Sequence, residues 1–129
     1  MMVSRSIEAD SLRFHVRLRV ARGRRGVIGP GKADLLEAIR DSGSISRAAR
    51  RMRMSYRRAW DLVDDLNGLF RSPLVETARG GLRGGGARLT EAGELVLRRY
   101  REMEDEALRV LARRAPGFAS LVGRAEDDA

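Results

Sequence analysis

Two short helical patterns, each opened by its own serine, lie three residues apart near the middle of the chain. The first starts at Ser44 and places Ile45, Ala48, Ala49 and Met52 on one side; the second starts at Ser55 and does the same with Ala59, Trp60, Val63, Leu66 and Phe70. A serine at such a point marks a helix start, because its hydroxyl accepts a hydrogen bond from a free N–H of the first turn. Arg53 to Ser55 leaves room only for a tight turn. Two helices joined this closely, the second freshly capped, form a helix-turn-helix.

The flanking sequence extends this pattern. Pro30 suits the start of a preceding helix, with Leu35, Leu36 and Ile39 at helical spacing until Ser42-Gly43. Further upstream, Leu12 to Val20 alternates strictly, with Leu12, Phe14, Val16, Leu18 and Val20 on one face, and reads as one strand. Arg13, His15, Arg17 and Arg19 take its solvated face. Downstream, Leu74–Thr77 and Ala87–Thr90 are short strands bracketing a glycine-rich tip. Thr90 caps a long final helix, which Ala115-Pro116-Gly117 is expected to stop. The expected fold is mainly α (α+β): a winged helix-turn-helix with a leading β-strand, a two-stranded Gly-rich wing and a long C-terminal dimerisation helix. The expected organisation is an N-terminal tail over 1–11, the domain over 12–90, the dimerisation helix over 91–115 and a mobile tail over 116–129.

Charge says what such a fold meets. The chain carries 26 basic and 18 acidic residues among 129, a formal net charge of +8. Arg40 to Arg58 holds seven arginines against the single acid Asp41, whereas from Glu102 onward four arginines face seven acids. The positive charge thus coincides with the helix-turn-helix, as counterion release from a phosphate backbone requires. In the second helix of the motif, the first turn offers Ser55, Tyr56, Arg57 and Arg58 to base edges. Neighbours diverge by about 100° on a helix, so one arginine reads guanine while the other holds a phosphate. Asp61, Asp64 and Asp65 repel phosphates, so only the first turn penetrates. Ser46 and Arg47 lead the preceding helix, with Arg50 and Arg51 behind them. Arg79, Gly80, Arg83, Gly84 and Arg88 make up the wing contact, where glycine lets backbone approach a phosphate.

Other chemistries are poorly supplied. Cysteine is absent and His15 is the only histidine, so no thiol catalysis, metal site or cofactor is expected. No apolar run approaches the roughly 20 residues of a membrane span, and no signal peptide opens the chain, so a cytoplasmic protein without enzymatic activity is expected. Gly26 to Lys32 imitates a phosphate-binding loop but is followed by Ala33, not by the Ser/Thr that binds magnesium. In the last helix Val96, Tyr100, Met103, Ala107 and Val110 repeat at spacings of four, three, four and three, a seam expected to bury itself against a second copy. The partner is then double-stranded DNA bound by a homodimer on an inverted repeat. The alternative is a basic nucleoid or RNA-binding protein without sequence preference.

Several runs are also familiar as sequence: Gly29 to Ile39, Gly43-Ser-Ile-Ser-Arg-Ala-Ala49, Met54-Ser-Tyr-Arg-Arg-Ala-Trp60, Pro73 to Thr77, and the glycine-rich Gly80 to Thr90. Together they resemble the N-terminal domain of ModE-type molybdate-responsive regulators and, more distantly, the helix-turn-helix of LysR-type regulators. The resemblance covers roughly Leu12 to Tyr100. It implies a dimeric winged-helix transcription factor acting on molybdenum uptake or molybdoenzyme genes, with Ser55 to Arg58 reading DNA and Arg79 and Arg83 in the wing. Members of that family bind molybdate through C-terminal β-barrel domains. This sequence stops at Ala129, so molybdate binding is not carried over, and a separate molybdate-sensing partner is one expectation.

Overall fold

A computed structural model describes residues 5–78 and 86–123 of the chain. The elements run β1 (Arg5–Ala9), β2 (Leu12–Val16), β3 (Val20–Arg22), β4 (Arg25–Ile28), α1 (Pro30–Ser42), α2 (Ile45–Arg51), α3 (Tyr56–Leu69), β5 (Val75–Thr77), β6 (Ala87–Leu89) and α4 (Glu91–Ala119). The six strands form three antiparallel pairs, β1 with β2, β3 with β4 and β5 with β6. This is the expected winged helix-turn-helix, with the N-terminal region built more fully than the sequence indicates.

Local chemistry fixes the helix ends. The Ser44 hydroxyl accepts from the Arg47 N–H at 3.1 Å, Ser55 from Arg58 at 3.0 Å and Thr90 from Gly93 at 3.0 Å. Each cap satisfies a first-turn donor that no carbonyl can reach. Pro30 opens α1, and Gly43 closes it in the left-handed conformation. The buried faces of α1, α2 and α3 then meet: Leu35, Leu36 and Ile39 pack with Ala48, Ala49, Ala59, Val63 and Leu66 in one core, joined by Leu74 and Leu97.

Three corrections to the expected organisation concern the ends. Residues 1–11 are not simply a tail, because Arg5–Ala9 is a strand paired with β2, Ala9 opposite Leu12. The turn uses Asp10 and Ser11 at φ 51° and 66°, the two left-handed residues of a type I′ hairpin. Nor is Leu12 to Val20 one strand. It breaks after Val16, and Val20 begins a second hairpin. The reason is that Leu18 is anchored elsewhere: its carbonyl accepts from the Tyr100 hydroxyl at 2.7 Å and so is withdrawn from any ladder. Finally, α4 passes Pro116 and ends at Ala119. Ala115 is fully buried, and the Ser120 N–H closes on the Pro116 carbonyl at 3.2 Å. Buried Ala115 holds the helix just before Pro116, and the exposed turn that follows gives up only the one donor proline lacks. Residues 124–129 of the expected tail lie outside the described residues.

The α4 seam also shifts. Its buried residues are Gly93, Leu97, Tyr100, Glu104, Leu108 and Ala115, facing α1 and the β1–β2 hairpin. Tyr100, expected at a dimer surface, is 1% exposed in the chain's own core, and Val96 packs half-buried against that core. Met103 at 47% and Val110 at 40% exposure stay outside, with Ala107 between them, also exposed.

The root of the wing is held from three sides. Asn67 on α3 accepts from the N–H groups of Leu74 (2.8 Å) and Val75 (3.0 Å) and donates to the Val75 carbonyl (3.1 Å). The Leu74 carbonyl accepts from the Thr90 N–H at 2.9 Å, and the Thr90 hydroxyl donates to the Pro73 carbonyl at 2.7 Å. Gly93 lies so close that a Cβ there would stand 2.1 Å from the Leu74 oxygen. On the other strand, the Ala87 N–H donates to the Gly43 carbonyl at 2.9 Å, joining the wing to the α1–α2 corner.

Candidate nucleic-acid interface

The first turn of α3 projects from the body. Ala59, Leu62, Val63 and Leu66 bury its inner face, which turns Arg57, Asp61 and Asp64 outward. Tyr56 is 56% exposed yet not loose: its ring meets Trp60 edge-on at 6.2 Å between centroids and 78° between planes. Trp60 is itself packed on the core. An exposed aromatic braced this way presents a fixed apolar surface and a hydroxyl at low entropic cost. The sequence places Trp60 in the core but gives no sign of this bracing role.

Arg57 and Arg58 separate as their 100° divergence requires. Arg57 lies on the outward face. Arg58 lies on the flank, where it lines a cavity with residues of the β3–β4 hairpin. Before them, the turn passes Arg53 at φ 57°, a left-handed backbone that most side chains avoid. The Met54 N–H donates to the Ala49 carbonyl at 3.0 Å, so the turn is closed by main chain despite this strain.

On α2, Ser46 and Arg47 are exposed beside the α3 start. Ser46 accepts from Arg50 at 3.2 Å, which holds that guanidinium along the helix. At the base of the wing, Glu76 stands opposite Arg88, and the two pair at 2.7 Å. Arg88 is therefore already paired with a carboxylate, a partner visible only through the strand register. Arg79, Gly80, Arg83 and Gly84 lie outside the described residues. Of the expected site, then, Ser46, Arg47, Ser55, Tyr56, Arg57 and Arg58 are all exposed on α2 and the start of α3, and Arg88 is exposed on β6. Ser55 serves there as a cap, its oxygen already engaged.

Behind this surface sits a set of charges the sequence reading passed over. Arg101, 18% exposed in its side chain, donates to Asp34 at 2.7 Å, Glu37 at 2.9 Å and Glu104 at 2.9 Å. Glu104 is 1% exposed and has Arg5 as a second cation at 3.6 Å. Burial works against the Arg101 charge, but the hydrogen bonds to Asp34, Glu104 and Glu37 overcome it and hold its pKa above the ordinary value. The neighbouring Tyr100 is pushed up to about 12, first by burial and then by the Glu104 charge. These groups tie α4 to α1 and β1.

The imitation phosphate loop has no loop to offer. Gly26 to Ile28 belong to β4, and Gly29 alone separates that strand from α1. A nucleotide cradle needs several successive backbone donors between strand and helix.

Residues 32–94 match the family described as bacterial regulatory helix-turn-helix protein, lysR family. The chain is 45% identical over 84 residues to the molybdenum-pterin-binding protein MopA of Rhodobacter capsulatus, covering 65% of this chain and 32% of that protein. It is 42% identical over 89 residues to the molybdenum transport protein ModE of Azotobacter vinelandii, covering 69% and 33%. With the DNA-binding transcriptional dual regulator ModE of Escherichia coli K12 it shares 44% identity over 71 residues, covering 55% and 27%. The chain thus spans about a third of the length of these relatives.

Proposed function

We propose that residues 32–94 form a ModE-type DNA-binding domain of the LysR class, and that the chain carrying them is a sequence-specific transcriptional regulator of genes for molybdenum uptake or use. The observation that carries this reading is the α2–α3 corner: two serine-capped helices, a main-chain-closed turn, and Arg57 facing outward beside a braced Tyr56. Arg57 reads a base edge from the major groove, and Arg47 and Arg58 neutralise phosphates on either side. The link to molybdenum rests on the names of the relatives.

The regulator acts as a homodimer in the cytoplasm. Exposed Met103, Ala107 and Val110 supply an apolar stripe along α4, which a second copy covers across a two-fold axis. A dimer presents two α3 helices to half-sites one or more helical turns apart. Among the described residues no helix is long and apolar enough to cross a membrane.

Fluorescence anisotropy tests the reading. Duplex DNA from upstream of the chain's own gene is titrated against a scrambled duplex and an RNA at equal salt. The natural duplex should bind more tightly, and Arg57→Ala should cost about 1–3 kcal/mol on it while narrowing the gap to the scrambled one. Equal affinities for all three would leave a nucleoid or RNA-binding protein instead.

A further inference from the structure

Beside α3, the β3–β4 hairpin and the start of α1 enclose an open cavity of about 480 Å³. Its floor is apolar, with Ile28, Met54 and Leu62, and its rim is cationic: Arg17, Arg19, Arg24, Lys32 and Arg58. One acid is near, Asp65, 4.0 Å from the Lys32 ammonium. Among the described residues the four arginines make no salt bridge. These cations come from three separate stretches of sequence, and Arg17, Arg19 and Arg24 precede the family match at 32–94.

The arginines are held in place. Leu18, between Arg17 and Arg19, is anchored by the Tyr100 hydroxyl, which fixes the backbone of the segment. The Arg19 stem lies across Gly29, its Cγ 3.5 Å from where a Cβ would stand. Arg24 occupies the tip of the hairpin, where Gly23 takes φ +61° to make the turn and Arg22 pairs with Arg25.

We infer that this hairpin face is a second backbone clamp for duplex DNA, gripping phosphates on the flank of α3 through Arg17, Arg19 and Arg24 together with Arg58. The inference rests on the DNA-binding reading given above and adds residues to it. Five cations on one open rim offer more charge than a single small oxyanion neutralises. Duplex DNA supplies a negative charge every ~1.7 Å along its axis, and Arg58 already brings the cavity beside the helix that enters the groove. The clamp carries no sequence information. It sets affinity and orientation while Arg57 sets preference.

Salt dependence provides the test. Anisotropy titrations on the natural and the scrambled duplex, from ~50 to ~300 mM salt, compare the wild-type chain with Arg24→Ala, Arg19→Ala/Arg24→Ala and the control Arg109→Ala on α4. Each lost phosphate contact lowers the slope of log K against log salt by ~0.9, so the double variant should lose nearly two, equally on both duplexes. Arg109→Ala should leave the slope alone. Arg19→Lys/Arg24→Lys keeps the charges and should restore most of the slope, which a folding defect would not allow. An unchanged slope in the double variant overturns the clamp. So does a thermal shift by free pyrophosphate at constant ionic strength that the double variant loses while its slope stays wild-type, since the site would then serve a free anion. Failure of the sequence-specific reading appears separately, as equal wild-type affinity for the two duplexes, and leaves the slope comparison readable.

Discussion

Replacing Arg101 by methionine tests the charge network that joins α4 to α1. In the folded chain this guanidinium serves Asp34, Glu37 and Glu104, all within 2.9 Å. Asp34 and Glu37 are partly exposed, with side chains at 22% and 42% of full accessibility, and water can replace Arg101 there at little cost. Glu104 is different, because it is buried and keeps only Arg5, at 3.6 Å, as a remaining cation. Removing one partner of a buried ion pair costs about 3–5 kcal/mol, chiefly as the desolvation of the charge left behind. Arg5 retains part of the attraction, which puts Arg101→Met near the lower end, about 3 kcal/mol. A domain of this size is stable by about 5–15 kcal/mol, so the loss is a large fraction of the whole. Urea unfolding followed by circular dichroism measures it directly, the midpoint falling with the slope unchanged. The decisive comparison is Arg101→Met/Glu104→Met, which removes the orphaned carboxylate and should recover at least half of the loss. The reasoning is refuted if Arg101→Met unfolds within about 0.5 kcal/mol of wild type, the usual range for surface changes. It is equally refuted if the double variant is no more stable than the single one.

Other substitutions have outcomes of known sign. Gly93→Ala sets a methyl 2.1 Å from the Leu74 oxygen; since backbone must move, it should cost about 2 kcal/mol or more even after alanine's helix-propensity gain of ~1 kcal/mol. Gly68→Ala on α3 meets nothing within 4 Å and should be neutral or stabilising by up to about 1 kcal/mol, as thermal melts will report. Arg53→Gly relieves the left-handed residue at φ 57° and should raise stability by about 0.5–1 kcal/mol. For alkaline pH the Tyr100 hydroxyl supplies the sign. Its pKa is about 12 in the folded chain against 10.0 ordinarily, so its contribution is whole below pH 10 and is lost as pH rises toward 12. At ~1.4 kcal/mol per unit the loss is on the order of 2–3 kcal/mol. Tyr100→Phe should be less stable at neutral pH, by about 1 kcal/mol for the bond to Leu18, and should show a flatter decline above pH 10 in pH-dependent unfolding.

What the sequence makes legible is what neighbours decide. Ser44, Ser55 and Thr90 act on N–H groups three residues away, so their helices begin where the letters say. What it hides is decided from a distance. The break after Val16 follows from Tyr100, 82 positions away from Leu18, while the apolar alternation runs on undisturbed. The β1–β2 hairpin turns on Asp10-Ser11, a pair without the glycine or asparagine that usually announces left-handed backbone. The inner face of α4 includes a glycine and a carboxylate, Gly93 and Glu104, so a count of apolar residues alone sets the seam out of phase. In the interface, Arg57 and Arg58 were visible as a pair, but which of them faces outward depends on the packing of Leu62 and Val63. The pairing of Arg88 with Glu76 needed the strand register.

The anchoring of Leu74 has a mechanical consequence. That one residue is bonded to α3 through Asn67 and to the start of α4 through Thr90, and Gly93 leaves no slack between them. The wing root, α3 and α4 are therefore coupled through Leu74. The long arm is α4, whose 29 residues at ~1.5 Å each reach about 43 Å. If two such arms cross near Ala107, as proposed, the ~24 Å of helix between the crossing and Glu91 turns a change of ~5° in crossing angle into a shift of roughly 2 Å at the wing and α3, a sizeable part of the ~3.4 Å axial rise per phosphate of one strand. On the proposed dimer, register on DNA would then be set at the crossing of the long arms, far from the residues proposed to touch a base.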